Sequence, residues 1–177
     1  MVAYTKADAE FSPCGKHRNR LWREWEMPGA IMADETTPLS FTVVGVNPSI
    51  AGKHDDPTIR RVVGFARREG YRRIDMVNLS TFIATDPSDM LKSITDEPME
   101  TLEHAYRAIE LAGQVVLAWG ANGYRHYDLR RRAVDVGRFA ANTLPDGPLC
   151  WGVTKDGYPK HPVRLAASTP LVPFRAV

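Results

Sequence analysis

The chain has 177 residues, of which 44% are hydrophobic and 25% charged, with a formal net charge of +2 and a sequence pI near 8.6. That length fits one domain with a real core rather than two, and the charge falls short of the strongly basic signature of a dedicated nucleic-acid binder. Cys14 and Cys150 stand far apart in no ligand-like spacing, which argues against a disulfide framework and against a metal or iron–sulfur cluster. No run of 18 apolar residues occurs and the opening residues lack an apolar signal core, so a cytoplasmic protein without membrane contact is expected.

In chain order, RLWREW alternates Leu21, Arg23 and Trp25 against Trp22 and Glu24, the period of a short strand. LSFTVVGVN is a β-branched run of the buried-strand kind. DDPTIRRVVGFARREG carries helix punctuation, with Asp56 as cap, Pro57 in the first turn and Gly70 at the stop. Within it Ile59, Val62, Val63 and Ala66 share one face, and the arginines lie away from it. RRIDMVNLS predicts a second core strand, and TFIATDPSDMLKSITDEP a long irregular connection. A second helix presents Leu102, Ala105, Tyr106 and Ile109, with Gly113 at its stop. QVVLAWG is a third strand, a basic helix starts at about Asn122, and PLCWGVT is a fourth strand.

Strands alternating with helices imply a single three-layer α/β/α domain with a mostly parallel central sheet, residues 39–177 forming the core and residues 1–38 packing onto it. In such sheets functional residues gather beyond the carboxyl ends of the strands. That rule groups GVNPSIAG, NLSTFIATDP, WGANGY and the YPKHPVRL segment into one candidate site.

GVNPSIAGKH first suggests a phosphate loop, but the spacing does not fit. Six residues separate Gly45 from Gly52, Lys53 is followed by His54 rather than Ser or Thr, and Pro48 removes an N–H donor. Of the 23 basic residues 17 are Arg, bunched at Arg60 and Arg61, at Arg67 to Arg73 and at Arg130 to Arg132. Arginine forks suit phosphate, but the solvated-face reading of these clusters is the favoured one. His17, His54, His104 and His126 show no metal-ligand spacing.

The segments FSPCGKHRNRLWREW, VNPSIAGKHDDPTIRRVVGFARREGY, VNLSTFIATDP, AWG and GVTKDGYPKHPVRL together resemble the bacterial and phage family called domain of unknown function 1643. More distantly, Gly45-Val46-Asn47-Pro48, the strand-ending Asn78, the Trp119-Gly120 pair and the His161-Pro162 pair resemble, in order, the site motifs of the uracil-DNA glycosylase superfamily, its mismatch-specific branch included. Val163 stands where that superfamily has serine.

The distant resemblance implies a uracil-DNA-glycosylase-like fold and a nucleobase-recognising enzyme of N-glycosylase type, acting on DNA or a nucleotide without a cofactor or metal. Such a reaction needs a positioned water and donors aimed at the departing base. Asn47 would orient the water, His161 would donate to the developing oxyanion, and Asp56 would assist as a carboxylate. Gly45, Pro48 and Ser49 would shape the pocket, Asn78 would read the base edge, and Phe82 or Trp119 would stack on it. Lys53, Arg60, Arg61, Lys160 and the Arg130 cluster would hold phosphates. Two alternatives remain open: a non-catalytic nucleic-acid or nucleotide-binding module on the same scaffold, and a different hydrolase or transferase working through Asp55, Asp56 and Thr58. The oligomeric state is not legible.

Overall fold

The computed structural model describes residues 2–32, 34, 39–48, 54–94, 97, 99–124 and 126–175. Seven strands form one sheet in the order β1-β2-β4-β3-β5-β6-β7. They are β1 (Tyr4–Phe11), β2 (Arg18–Trp25), β3 (Ser40–Gly45), β4 (Arg73–Asn78), β5 (Ala112–Leu117), β6 (Leu149–Cys150) and β7 (Val172–Pro173). The central strands β4, β3, β5 and β6 run parallel. The β1–β2 hairpin and β7 add antiparallel flanks. The N-terminal residues therefore extend the core sheet, as β2 pairs Leu21 with Met76 and Arg23 with Ile74.

Alternate core-strand residues feed two apolar clusters, as period-two side chains of a sheet covered on both faces must. Phe41, Val43, Ile74, Met76 and Val116 pack under α1 (Pro57–Arg68) against Ile59, Val62, Phe65 and Ala66. Val44, Val77, Val115 and Leu117 face α2 (Pro87–Ser93), α3 (Glu103–Glu110) and α4 (Tyr127–Thr143). Helix α1 forms as its punctuation indicates: the Asp56 carboxylate accepts from the Ile59 N–H at 2.8 Å, Pro57 opens the first turn, and Gly70 follows with φ +87.

Three expectations need correction. The segment after β4 is not wholly irregular, because Asp86 caps α2 through the Ser88 N–H at 2.7 Å and Pro87 starts it, the same signal that starts α1. Gly113 does not stop a helix. It lies inside β5, where a Cβ would sit 2.6 Å from the Leu39 Cβ, so close packing requires the glycine. The basic helix begins at Tyr127 rather than near Asn122, which belongs to a separate 3-10 turn over Ala121–Tyr124. The β1 and β7 flanks had no recognised sequence signal.

Candidate functional site

The parallel strands end together, and main-chain bonds lock their exit loops to one another. Leu79 and Ser80 donate to the carbonyls of Gly45 and Val46 at 3.0 and 2.8 Å, Ala84 donates to Pro48 at 3.0 Å, and Ala118 donates to Val44 at 2.8 Å. Gly120, at φ +65, donates to the Pro159 carbonyl at 2.8 Å and brings the loop after β5 against the KHP segment. Stacking of Tyr124 on Tyr158, with centroids 3.8 Å apart, clamps the same two loops.

Between these loops and the start of α1 lies a cleft of about 310 Å³, at the lower end of small-molecule sites. Seven of the candidate site residues singled out from sequence line it: Gly45, Asn47, Asp56, Thr58, Asn78, Trp119 and His161. Asn78 is only 3% exposed, and neither polar atom of its side chain has a hydrogen-bond partner. Among the described residues it is the one side chain left with both a buried donor and a buried acceptor unmet. Gly45 makes room for it, since a Cβ there would stand 2.7 Å from the Asn78 Oδ1 and 2.9 Å from the Met76 Cε.

Asn47 is fixed by its amino group, which donates to the carbonyls of Ala84 at 2.8 Å and Pro48 at 3.1 Å. Its Oδ1 is thereby left as the accepting side of the amide. His161 accepts the Val163 N–H on Nδ1 at 3.4 Å, so the neutral ring carries its proton on Nε2 and presents a donor there. His161 is exposed at the edge of the cleft, yet partial desolvation of its imidazole pushes the pKa below the ordinary value, and the Asp56 carboxylate pulls it the other way. Gly120 allows this placement, since a Cβ would lie 3.2 Å from the His161 Cβ.

Other residues fall elsewhere. Phe82 does not line the cleft; it packs edge-on against His17 at 5.6 Å and faces a separate depression with Asp86 and Lys92. Trp119 lines the cleft but is 1% exposed and packs edge-on against Phe174, so it serves as wall and core rather than as an open stacking face. Pro48 is buried. Arg60 and Arg61 line an adjoining depression of about 340 Å³ between α1 and the turn at Val163. Lys160 is exposed, with its Nζ beside Gly152. Ser49 and Lys53 lie outside the described residues.

The Arg130 cluster splits. Arg130 and Arg131 are exposed on α4, whereas Arg132 is 1% exposed and donates to the Leu79 carbonyl, to Glu97 Oε2 and to Thr101 Oγ1, each at 3.1 Å. Glu97 in turn accepts from the Thr81 N–H and Oγ1 at 2.6 and 2.5 Å. This buried network holds the loop that follows Asn78. Asp55 is also committed, taking the Tyr4 hydroxyl and the Arg23 Nε, the latter at 2.8 Å, outside the cleft.

Sequence reasoning missed Arg18. It is 5% exposed, lines the cleft from the first residue of β2, and donates its main-chain N–H to the Thr81 carbonyl at 2.8 Å. Burial lowers its pKa to about 10, and the Asp56 carboxylate opposes that shift. The available signal was an arginine opening the strand RNRLWREW. Among the described residues no group of three His, Cys, Asp or Glu side chains could hold a metal, and no helix is long and apolar enough to cross a membrane.

Fold and cleft together define a layered α/β protein with a polar pocket at the carboxyl edge of its parallel strands. A family model described as Protein of unknown function (DUF1643) matches residues 18–163, well over half of the chain, and the chain belongs to that family. No curated protein and no solved structure matches it.

Proposed function

We propose that the cleft binds a nucleobase and that the protein is an N-glycosidic hydrolase acting on DNA or a nucleotide, on a uracil-DNA-glycosylase-like scaffold. The observation that carries this reading is Asn78: a buried amide with neither donor nor acceptor met, at the end of a central strand, facing a pocket of small-molecule size. An unmet buried polar group costs about 1–3 kcal/mol, and a ligand edge that presents one acceptor and one donor removes that cost. The lactam or amino-imine edge of a pyrimidine presents such a pair.

The remaining side chains supply what scission of a base–sugar bond needs. Asn47, its amino group anchored, orients a water with Oδ1. His161 donates from Nε2 to the base oxygen as negative charge develops there, and as a neutral donor it needs no proton change. The Asp56 carboxylate, the only acidic side chain lining the cleft among the described residues, stabilises the cation-like sugar. Arg60 and Arg61, from the depression beside α1, and the exposed Lys160 hold phosphates.

One observation favours a second reading, a base-binding module that does not cleave. Asp56 already spends an oxygen on the α1 cap, which reduces its capacity as a general base. Single-turnover base release, with enzyme in excess over oligonucleotides and nucleotides carrying uracil, thymine, hypoxanthine or 5-substituted pyrimidines, separates the two. Release that is lost in both Asn47→Ala and His161→Ala is expected. Binding without release from any substrate would establish the module instead.

A further inference from the structure

Resting on the base-binding reading of the cleft, we infer that the solvent face of α1 is a docking surface for the sugar–phosphate backbone of a DNA strand, so that the substrate is polymeric DNA rather than a free nucleotide. The helix carries four arginines and no acidic residue over Pro57–Arg68. Its buried side is Ile59, Val62, Val63, Phe65 and Ala66, which leaves Arg60, Arg61, Gly64, Arg67 and Arg68 on the opposite face by helical phase. A helix face that is merely solvated alternates charge sign and pairs its arginines with acids three or four residues away. Here Glu69 pairs with Arg68 alone, while the Arg61 and Arg67 side chains make no ion pair or hydrogen bond among the described residues. The pairs Arg60-Arg61 and Arg67-Arg68 stand about 10 Å apart along the helix axis, a span that suits successive phosphates of a chain better than one phosphate.

Gly64 supplies the second observation. Glycine inside a helix is less stable than alanine, and no protein atom lies within 4 Å of a Cβ built there, so internal packing does not require the missing side chain. What its absence permits is close approach of another molecule's backbone. Gly64 lines the depression of about 340 Å³ together with Arg60, Arg61, the buried Phe65 and the exposed Val163. No acidic side chain lines that depression among the described residues, and the neighbouring SIAGK sequence of residues 49–53 contains none. The depression adjoins the cleft: Pro57 in its wall follows the cleft residue Asp56, and Val163 comes just after the cleft residue His161 and Pro162. A strand laid along α1 therefore reaches the mouth of the pocket that takes its base. That continuity of a basic face with a base pocket favours a nucleic-acid strand over an acidic polypeptide.

Fluorescence anisotropy of a labelled single-stranded DNA oligonucleotide of mixed sequence, across a salt series, tests the surface. The double variant Arg61→Gln with Arg67→Gln should weaken binding at least about ten-fold and flatten the slope of log K against log salt by about 1.4, two phosphates at about 0.7 each. Gly64→Leu, a better helix former that fills the depression, should weaken binding without lowering stability in urea. Arg107→Gln with Arg138→Gln makes the same charge change at exposed positions of α3 and α4, which cover the other face of the sheet, and should leave the slope as in the parent. An equal loss in that pair, or no binding of the oligonucleotide by the parent, would overturn the docking surface. Tighter binding of polyglutamate than of the oligonucleotide would overturn it in favour of an acidic polypeptide. Calorimetry with free uracil, thymine and hypoxanthine on the same proteins keeps the two readings apart. Base binding that is equal in the parent and the α1 variants, with oligonucleotide binding lost only in those variants, is expected. If the parent binds none of the bases, the base-binding reading fails and the anisotropy series still decides the α1 surface.

Discussion

Gly45→Ala tests the cleft at its tightest contact. Gly45 has no left-handed conformation to defend, so alanine fits its backbone, and the consequence is purely steric. The added methyl would lie 2.7 Å from the Asn78 Oδ1. A carbon–oxygen contact is comfortable at about 3.3–3.6 Å, so the amide oxygen must retreat by roughly 0.6–0.9 Å. Met76 can yield, since its Cε at 2.9 Å ends a flexible chain, but Asn78 has two torsions and a buried setting. Overpacking of this kind costs about 1–3 kcal/mol, and the lost freedom of the unfolded glycine returns about 0.4–1. The net destabilisation is roughly 0–2.6 kcal/mol, modest beside its effect on the ligand, because the displaced group is the one proposed to read the base. Urea unfolding and base binding measured on one preparation should show at least about a ten-fold loss of affinity with the fold retained. Gly64→Ala is the control: Gly64 is exposed within α1 with nothing within 4 Å of its would-be Cβ, and alanine should add about 0.5–1 kcal/mol of stability. Full affinity in folded Gly45→Ala would refute the assignment of Asn78 as the reading residue.

Two further outcomes follow from the buried charges and the cleft histidine. Arg132→Met should lower unfolding free energy by about 3–5 kcal/mol, because it leaves the Glu97 carboxylate buried without its cation, and adding Glu97→Gln should restore part of the loss; a single variant as stable as the parent in urea would contradict the network. His161 is held below the ordinary imidazole value of 6.5, so the unfolded chain binds the proton more tightly than the folded one. Its contribution is therefore intact above that value and is lost as pH falls through it toward the depressed folded value. In His161→Phe the slope of stability with pH should flatten over that window, and an unchanged slope would remove the packing effect.

Much of the cleft was legible because its residues obey one rule of α/β sheets. Gly45 with Asn47, Asn78, and Trp119 with Gly120 each follow a β-branched run, and a parallel strand delivers its exit loop to the same edge as its neighbours. The Asp56-Pro57 pair marked the start of α1 by local chemistry alone. What was not legible depended on pairing between distant segments. Nothing local distinguishes an Arg18 that opens a strand and faces solvent from one turned into a pocket by antiparallel pairing of β2 with β4. Arg132 likewise reads as one of three consecutive basic residues until helical phase puts it inside, toward Glu97. Phe82 sits in a loop next to a site motif, yet its ring turns to His17, because the hairpin closes over that side. Gly113 reads as a helix stop in sequence, and only the approach of Leu39 explains it as a strand residue.

The cost of leaving Asn78 unmet explains why the surrounding layer is so heavily bonded. A buried amide without partners destabilises the loop that carries it, and the neighbouring Leu79, Ser80 and Thr81 compensate with their own main chain. Leu79 and Ser80 donate to the Gly45 and Val46 carbonyls, Thr81 donates to Glu97, and the Leu79 and Thr81 carbonyls accept from Arg132 and Arg18. Every one of these bonds fixes the backbone around Asn78 without touching its side chain. An apolar residue at position 78 would remove the penalty at no cost to those bonds, so stability alone does not account for asparagine there. The same asymmetry holds at Asn47, where the amino group is tied to two carbonyls and the oxygen is not used for anchoring. Two amides thus sit on a well-bonded backbone that leaves the Asn78 side chain and the Asn47 Oδ1 out of the internal bonding, the arrangement that the proposed preorganised polar site requires.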